Sequence, residues 1–573
     1  MRRMAGNGTL ILIALWLALL SACAPQPAPG RSTQSASQPP ASAQATAPKV
    51  LTLGVLKENP SFGDFDSSTS GVIAPDLAHN LLVVRNQVGA YLPQLATEQL
   101  SVERGTWRLN ADGTMDTTWK IQPNVTWQDG SPFTSDDLVF TYTVYRDPEL
   151  PSTVASMMQR MESVSAPDPT TFVVHWSVAD VKADQAPGLR PLPRHLLEET
   201  YRADKHSLPN NPYFTTEFVG LGPYRLVKWD TGVQMTLTRN EGYYRGRPPL
   251  DTVVLRFIGD PNALAANLLA GAIDMATSPG IGVEDALQIK QQWEGTANRV
   301  VFGTGDSINW LQFQQRAEYA QPRSALLNRD VREALYRSLD RAAIADVITH
   351  GLAPLADSWV SPGDPLRPAV ESAIPQYPYD PGRAQQLFTA AGWTRGTDGV
   401  LVNAQTGETF ALELWGQQQQ PDIREQPIIA DYWKAVGVQA GQQTMSNNAS
   451  GDREYDATRP GIRVGSIGNY RFSYDNALST KEVAGQANRW NGRNKYGYSN
   501  PAVDALVDKL NVTIDSRSRA TLMRDYLQTA MGDVAFMPIY WEVYSIVSQG
   551  SVKGAFNPSK TDMSWNAFEW DKE

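Results

Sequence analysis

The sequence predicts an α/β fold, and three observations carry that expectation. Residues 251–275 read strand, helix, strand: the run Val253-Val254-Leu255-Arg256-Phe257-Ile258, a helical stretch, and an extended piece at Ala272-Ile273-Asp274-Met275. Amphipathic helical patterns recur at 330–351 and 499–510. The chain has 573 residues, 42% hydrophobic and 19% charged, which suffices for a large core. At roughly 150 residues per domain it would hold about three or four domain-sized units.

The elements follow in order. Arg2 and Arg3 precede an unbroken apolar run from Leu10 to Leu20. That run has the length of a signal-peptide core and is too short to span a bilayer comfortably. It ends in Leu20-Ser21-Ala22-Cys23, small residues before the single cysteine of the chain, a pattern that resembles the bacterial lipobox. The resemblance implies cleavage after residue 22 and lipid attachment at Cys23. Residues 24–48 are Pro, Ala, Ser and Gln with few other residues, and they cannot bury enough apolar surface to fold. Such a tether reaches roughly 28 Å on average.

Val50 to Val55 alternates as a strand. Residues 117–128 alternate around a turn at Pro123-Asn124, and Asp129-Gly130 is a turn signal. Thr134 and Asp137 form a capping-box pattern ahead of a helix. Residues 223–238 read as a hairpin turning at Asp230-Thr231-Gly232. Asp260-Pro261 caps a helix with an apolar face of Leu264, Leu268 and Leu269, stopped by Gly271. Residues 330–351 form one helix with Val331, Leu335, Leu339, Ala342 and Val347 inward and Gly351 as C-cap. Ser499-Asn500 caps a helix with Val503, Leu506, Val507 and Leu510 inward.

Several chemistries are excluded. Lys plus Arg is 50 against 60 for Asp plus Glu, a net charge of −10, which argues against nucleic acid as a partner. One cysteine rules out internal disulfides, polythiolate zinc sites and, in the lipid position, thiol catalysis. There is no phosphate loop, dinucleotide fingerprint or H-E-x-x-H, and the five histidines are scattered. Gly465-Ser466-Ile467-Gly468 lacks the full nucleophile-elbow pattern. Neither a metal nor a cofactor is expected.

Aromatic content stands out, with 16 Trp, 21 Tyr and 16 Phe. Most fill the core, but some fall in polar stretches: Trp310 beside Asn309, Trp415-Gly416 before four glutamines, Tyr470-Arg471-Phe472, and Arg489-Trp490-Asn491. Aromatic faces with amides and arginines suit an amphipathic polar ligand in a cleft.

A set of segments in fixed order is familiar: YLPQLA, WQDGSPFTSDDLVFTY, GLGPYRLVKWDTG, LTRNEGYY, LLAGAID, DVREALYRSLDRAAI and YSNPAVDALVDKL. They resemble the family 5 extracellular solute-binding proteins of ABC importers, the oligopeptide, dipeptide and nickel group, over about residues 50 to 550. The resemblance implies a two-lobed periplasmic-binding protein fold of class II type with an additional inserted domain. By analogy lobe I combines 49–90, 212–300 and 535–573, the inserted domain is 91–211, and lobe II is 301–534. Ligand would lie between the lobes, which close by hinge motion.

Peptide-binding members use an aspartate in a segment like G-D-x-x-x-P for the ligand's amino group. Here Asn469 falls at that position, with Asp475 nearby, and a neutral amide forfeits a charge-assisted bond of about 1.5–3 kcal/mol. The segment Phe536-Met537-Pro538-Ile539-Tyr540 also departs from the family's more proline-rich form.

The expectation is thus an exported, lipid-anchored monomeric receptor that captures oligopeptides or dipeptides and delivers them to permease and ATPase subunits, without chemistry. An oligosaccharide receptor of the same family and a secreted hydrolase are the alternatives. The expected ligand residues are Glu58 and Phe62 near the hinge, with Trp310, Trp415, Asn469, Tyr470, Arg471, Asp475, Trp490 and Trp541 in the cleft.

Overall fold

A computed structural model describes residues 47–58, 60–63, 73–86, 90–151, 158–185, 190–418, 421–446, 452–468, 477–555 and 563–573. Ten strands build one mixed sheet: β1 (Val50–Val55), β2 (Tyr224–Asp230), β3 (Gln234–Arg239), β4 (Thr252–Phe257), β5 (Met275–Thr277), β6 (Arg299–Phe313), β7 (Ala411–Gln417), β8 (Gln439–Met445), β9 (Ile462–Gly468) and β10 (Phe536–Ser548). Their order across the sheet is β8-β7-β9-β6-β10-β5-β1-β4-β3-β2. The helices that matter below are α1 (Pro261–Leu269), α2 (Val283–Gln292), α3 (Arg329–Arg337), α4 (Arg341–Thr349), α5 (Pro381–Ala390), α6 (Asp422–Ala435), α7 (Arg453–Thr458), α8 (Pro501–Val512) and α9 (Ser516–Gly532).

Four hydrophobic cores divide this sheet into two lobes. Leu51 and Leu53 of β1, with Val253 and Leu255 of β4, face one core, while α1 and α2 cover the opposite side through Leu264, Leu268, Ala286 and Ile289. In the second lobe, Leu311, Phe313, Leu414 and Val464 pack beneath α3, α4, α5 and α6. Ile308, Trp310 and Trp541 pack beneath α8 and α9 on the other face. A separate four-stranded antiparallel sheet, from Trp107–Leu109, Met115–Lys120, Met161–Asp168 and Thr171–Trp176, shares the core of β1 and β4. The C-terminal end is stitched back onto β1: Lys49 pairs with Asp571 at 2.7 Å, Lys572 Nζ donates to the Val50 carbonyl at 2.8 Å, and Trp570 is buried.

Among the described residues, β6 and β10 are the strands that run through both lobes. From Arg299↔Ser548 to Thr304↔Val543 they pair in the first lobe, and from Ile308↔Trp541 to Gln312↔Phe536 in the second. Between these runs the register slips, so that Gly305 to Ser307 oppose the single residue Glu542. Extra residues on one strand break the ladder and bend it. The crossing between lobes therefore falls at the point of weakest pairing.

Local expectations fare well where caps are present. Thr134 and Asp137 complete a capping box, the Thr134 amide donating to Asp137 Oδ2 at 2.9 Å. Asp260 accepts from the Ala263 amide, Asn500 from the Ala502 amide, and β2 and β3 form the expected hairpin. Three readings need correction. The helix expected over 330–351 is two helices: α3 ends at Arg337, and Asp340 caps α4 by accepting from the Ala343 amide. That restart resets the helical phase, so Ile344, Ala345 and Ile348 are buried while Ala342 and Val347 face outward. Leu269 likewise lies outside the α1 core, 38% exposed. Of the alternating run 117–128, the first half pairs in a strand; the second makes only an isolated bridge between Thr126 and Pro132.

Candidate ligand cleft

Strand direction locates the cleft. β5 runs antiparallel to β10, and β1 and β4 run parallel to β5, so all three point their carboxyl ends toward the second lobe. β9 runs antiparallel to β6 from Phe313↔Ile462 to Ser307↔Gly468, so its carboxyl end arrives at the crossing. β7 and β8 run parallel to β9. Two sets of parallel strands thus aim their carboxyl ends at one another across the slipped register. In open α/β sheets ligands bind in the crevice outside such ends.

On the first-lobe side, Glu58 and Phe62 follow β1. Both converge on Trp229 of β2: its Nε1 donates to Glu58 Oε1, and its ring meets Phe62 edge-on at 5.8 Å. The Gly232 amide donates to Glu58 Oε2 at 3.0 Å. Phe62 also stacks on Phe218 at 4.2 Å and is 1% exposed, so it packs in the core behind this wall.

On the second-lobe side, Trp415 lies two residues from the carboxyl end of β7 and is half-buried. The Arg459 guanidinium sits 5.1 Å from its ring centroid and Tyr455 meets it edge-on at 6.1 Å. Beneath lies a charge cluster centred on Asp456, which pairs with Arg459 and Lys495 and lies 3.5 Å from Arg463. Burial pushes the Asp456 carboxyl up, yet the three cations outweigh it and hold it below its ordinary range. Trp415 Nε1, Arg459 Nε and Nη1, and Arg463 Nε are buried without a hydrogen-bond partner among the described residues. Buried polar groups are usually satisfied, so this wall retains unused bonding capacity.

Two acids in α6 stand between this wall and the crossing. Asp422 takes the Gln417 amide at 3.0 Å, and burial pushes it up to about 6. Glu425 accepts from Tyr540 of β10 and from Asn309 Nδ2 of β6 at 2.9 Å. It is fully buried, and desolvation, reinforced by Asp422 and Glu542, pushes it up to about 8.

The remaining expected residues divide. Trp310 and Trp541 are 4% and 1% exposed within the α8–α9 core, Trp310 edge-on to Phe536 at 5.1 Å, so both pack that core. Trp490 packs against Arg316 at 5.6 Å, beyond the end of β6 that is farthest from the crossing. Asn469, Tyr470, Arg471, Asp475 and Cys23 lie outside the described residues. Sequence reasoning missed Asp422, Glu425, Asp456, Arg459 and Arg463: Asp456 with Arg459 at i,i+3 reads as an ordinary surface ion pair, and the partners that bury Glu425, Asn309 and Tyr540, are 116 and 115 residues away. Among the described residues no cluster of potential metal ligands occurs, and no helix is long and apolar enough to cross a membrane.

Two lobes with separate cores, two crossing strands and a crevice at facing strand ends define a two-lobed solute-binding protein. The chain belongs to the bacterial extracellular solute-binding proteins, family 5, whose middle region matches residues 90–483. The oligopeptide-binding protein AppA of Bacillus subtilis is 23% identical over 476 residues, spanning 80% of this chain and 81% of the relative. The structure of NikZ from Campylobacter jejuni in complex with Ni(L-His) matches with a TM-score of 0.74 at 21% identity, covering 92% of this chain and 100% of NikZ. AppA in complex with a nonapeptide matches with a TM-score of 0.69 at 20% identity, covering 92% of this chain and 99% of AppA. These structural likenesses establish the fold; the ligands in those complexes belong to those proteins.

Proposed function

We propose that this chain is the receptor of an ABC importer that captures peptides between its lobes and delivers them unaltered to permease and ATPase subunits. The single observation carrying this reading is the slipped register between β6 and β10 beneath two facing sets of strand carboxyl ends. It supplies both a crevice and a bend on which the crevice closes. Peptide as the ligand is supported by the named relative AppA and by the polar wall, where Arg459, Arg463 and Lys495 outnumber Asp456 and suit a ligand carboxylate. The oligosaccharide alternative loses two of its stacking surfaces with Trp310 and Trp541 in the core.

The same reading makes the protein a monomer held at the outer face of the cytoplasmic membrane by a lipid on Cys23, with residues 24–48 as its tether. On this reading the expected division holds, lobe I from 49–90, 212–300 and 535–573 with 91–211 inserted and lobe II from 301–534, except along the two crossing strands, which exchange at 304–308 and 541–543, so that 301–304 go with lobe I and 536–541 with lobe II.

Titration calorimetry with peptides of graded length and with oligosaccharides tests the ligand class. Saturable peptide binding with the ligand recovered intact supports the proposal. Binding of sugars alone, or steady conversion of the ligand to product, overturns it.

A further inference from the structure

Two helices begin where the facing strands end. α2 follows β5 and carries Glu284 as its second residue; α6 follows β7 and carries Arg424 as its third. They belong to different lobes: Ala286 and Ile289 bury α2 with Leu264 and Ile273, whereas Ile429 and Trp433 bury α6 with Leu414 and Val464. Yet Arg424 Nη1 donates to Glu284 Oε2 at 2.9 Å, joining residues 140 positions apart. Arg424 Nη2 also donates to the Val347 carbonyl of α4 at 3.4 Å, which braces the guanidinium on its own lobe. A second contact between the lobes is apolar: Val181, from the inserted segment, enters the α8–α9 core, and Ile514 packs against the core of β1 and β4.

We propose that the Arg424–Glu284 pair is an ionic latch that links the two lobes in the closed molecule and sets the ratio of closed to open forms. The inference rests on the hinged-capture reading of the fold. The chemistry suits a reversible catch: the side chains are 35% and 55% exposed, so water screens the pair and it separates readily. An exposed pair of this kind shifts an equilibrium by about 1.5- to 5-fold. Salt does not weaken the apolar contact at Val181 and Ile514, so expansion with salt reports on the latch.

Small-angle scattering of the ligand-free protein at low and at molar salt tests this. The wild type expands with salt. Glu284→Arg is expanded at low salt already and responds little to salt, and Glu284→Gln moves in the same direction by a smaller amount. Combining Glu284→Arg with Arg424→Glu restores the compact radius and its salt dependence. A radius unchanged in both single variants, or a double variant as expanded as Glu284→Arg, overturns the latch. Circular dichroism confirms that each variant is folded. Because no ligand is present, a negative result speaks against the latch alone, while peptide titration of the same samples tests the receptor reading.

Discussion

Gly305 lies flat against the ring of Tyr544, so close that a Cβ built on it would stand 2.1 Å from the ring. The two residues belong to β6 and β10 at the edge of the slipped register, and the Tyr544 hydroxyl donates to Glu542 Oε2 at 2.6 Å, which fixes the ring. The lobes thus meet at a point where a side chain is excluded by a neighbouring aromatic.

Gly305→Ala forces that ring aside. The expected cost is about 1–3 kcal/mol, read from urea unfolding. Adding Tyr544→Ala removes the obstacle, so the double variant is no less stable than Tyr544→Ala alone. A fully additive loss in the double variant contradicts this account.

Stability should show opposing pH trends from Glu425 and His79. Glu425 is raised from 4.5 to about 8 by burial, so the folded state holds its proton more tightly than the unfolded chain. Its contribution is fully present below pH 4.5 and is lost as pH rises through about 8. In Glu425→Gln the fall in stability between pH 5 and pH 8.5 is flattened. His79 works in the opposite sense. Burial lowers it to about 3, its Nδ1 accepting from the Leu221 amide and its Nε2 facing the Pro191 carbonyl at 2.8 Å. The unfolded chain gains that proton below about 6.5, so this contribution is lost as pH falls from 6.5 toward 3. Thermal melts across pH separate the two.

Asp456 is 2% exposed and is the carboxylate shared by Arg459, Arg463 and Lys495, so Asp456→Asn leaves buried positive charge unpaired. A loss of about 3–5 kcal/mol is expected. Because its carboxyl is held below the ordinary 3.8, the wild-type advantage is present above that value and vanishes as pH falls through the folded pKa. Denaturation at pH 7 and at acid pH measures both halves of the statement.

Ligand affinity should distinguish the tryptophans. Trp415→Ala, at the half-buried end of β7, is expected to weaken peptide binding about 5- to 10-fold by calorimetry. Trp490→Ala, on the side away from the crossing, leaves affinity unchanged, and Trp310→Phe alters stability instead. A large affinity loss at Trp490 would relocate the cleft.

For the anchor, Cys23→Ser is expected to move the protein from the detergent phase to the aqueous phase on detergent partitioning of expressing cells. Retention in the detergent phase removes Cys23 as the lipid site.

Some of this molecule was legible along the chain. The hairpin at 224–239 announced itself through alternation and turn residues, and the helices at 261–269 and 501–512 through Asp260 and Asn500. Those signals are local: a cap acts within one turn and a hairpin within a few residues. The break at Ser338 was not legible, because Leu335 and Leu339 keep helical spacing on both sides of it and only Asp340 marks the restart. Trp310 read as a loop aromatic because of its neighbour Asn309. Asn309 is in fact buried, its amide nitrogen satisfied by Glu425 from 116 residues away.

What the sequence by itself determined is the α/β character, the ends of many elements and, through segments in fixed order, the family. Propensity, periodicity and capping are properties of neighbours in the chain, so they survive without a fold. Only the tertiary structure decided that β6 and β10 carry the crossing, that Arg424 meets Glu284, and which tryptophans are core. Those outcomes depend on strand order and register, which bring distant residues within bonding distance and leave no trace in local spacing.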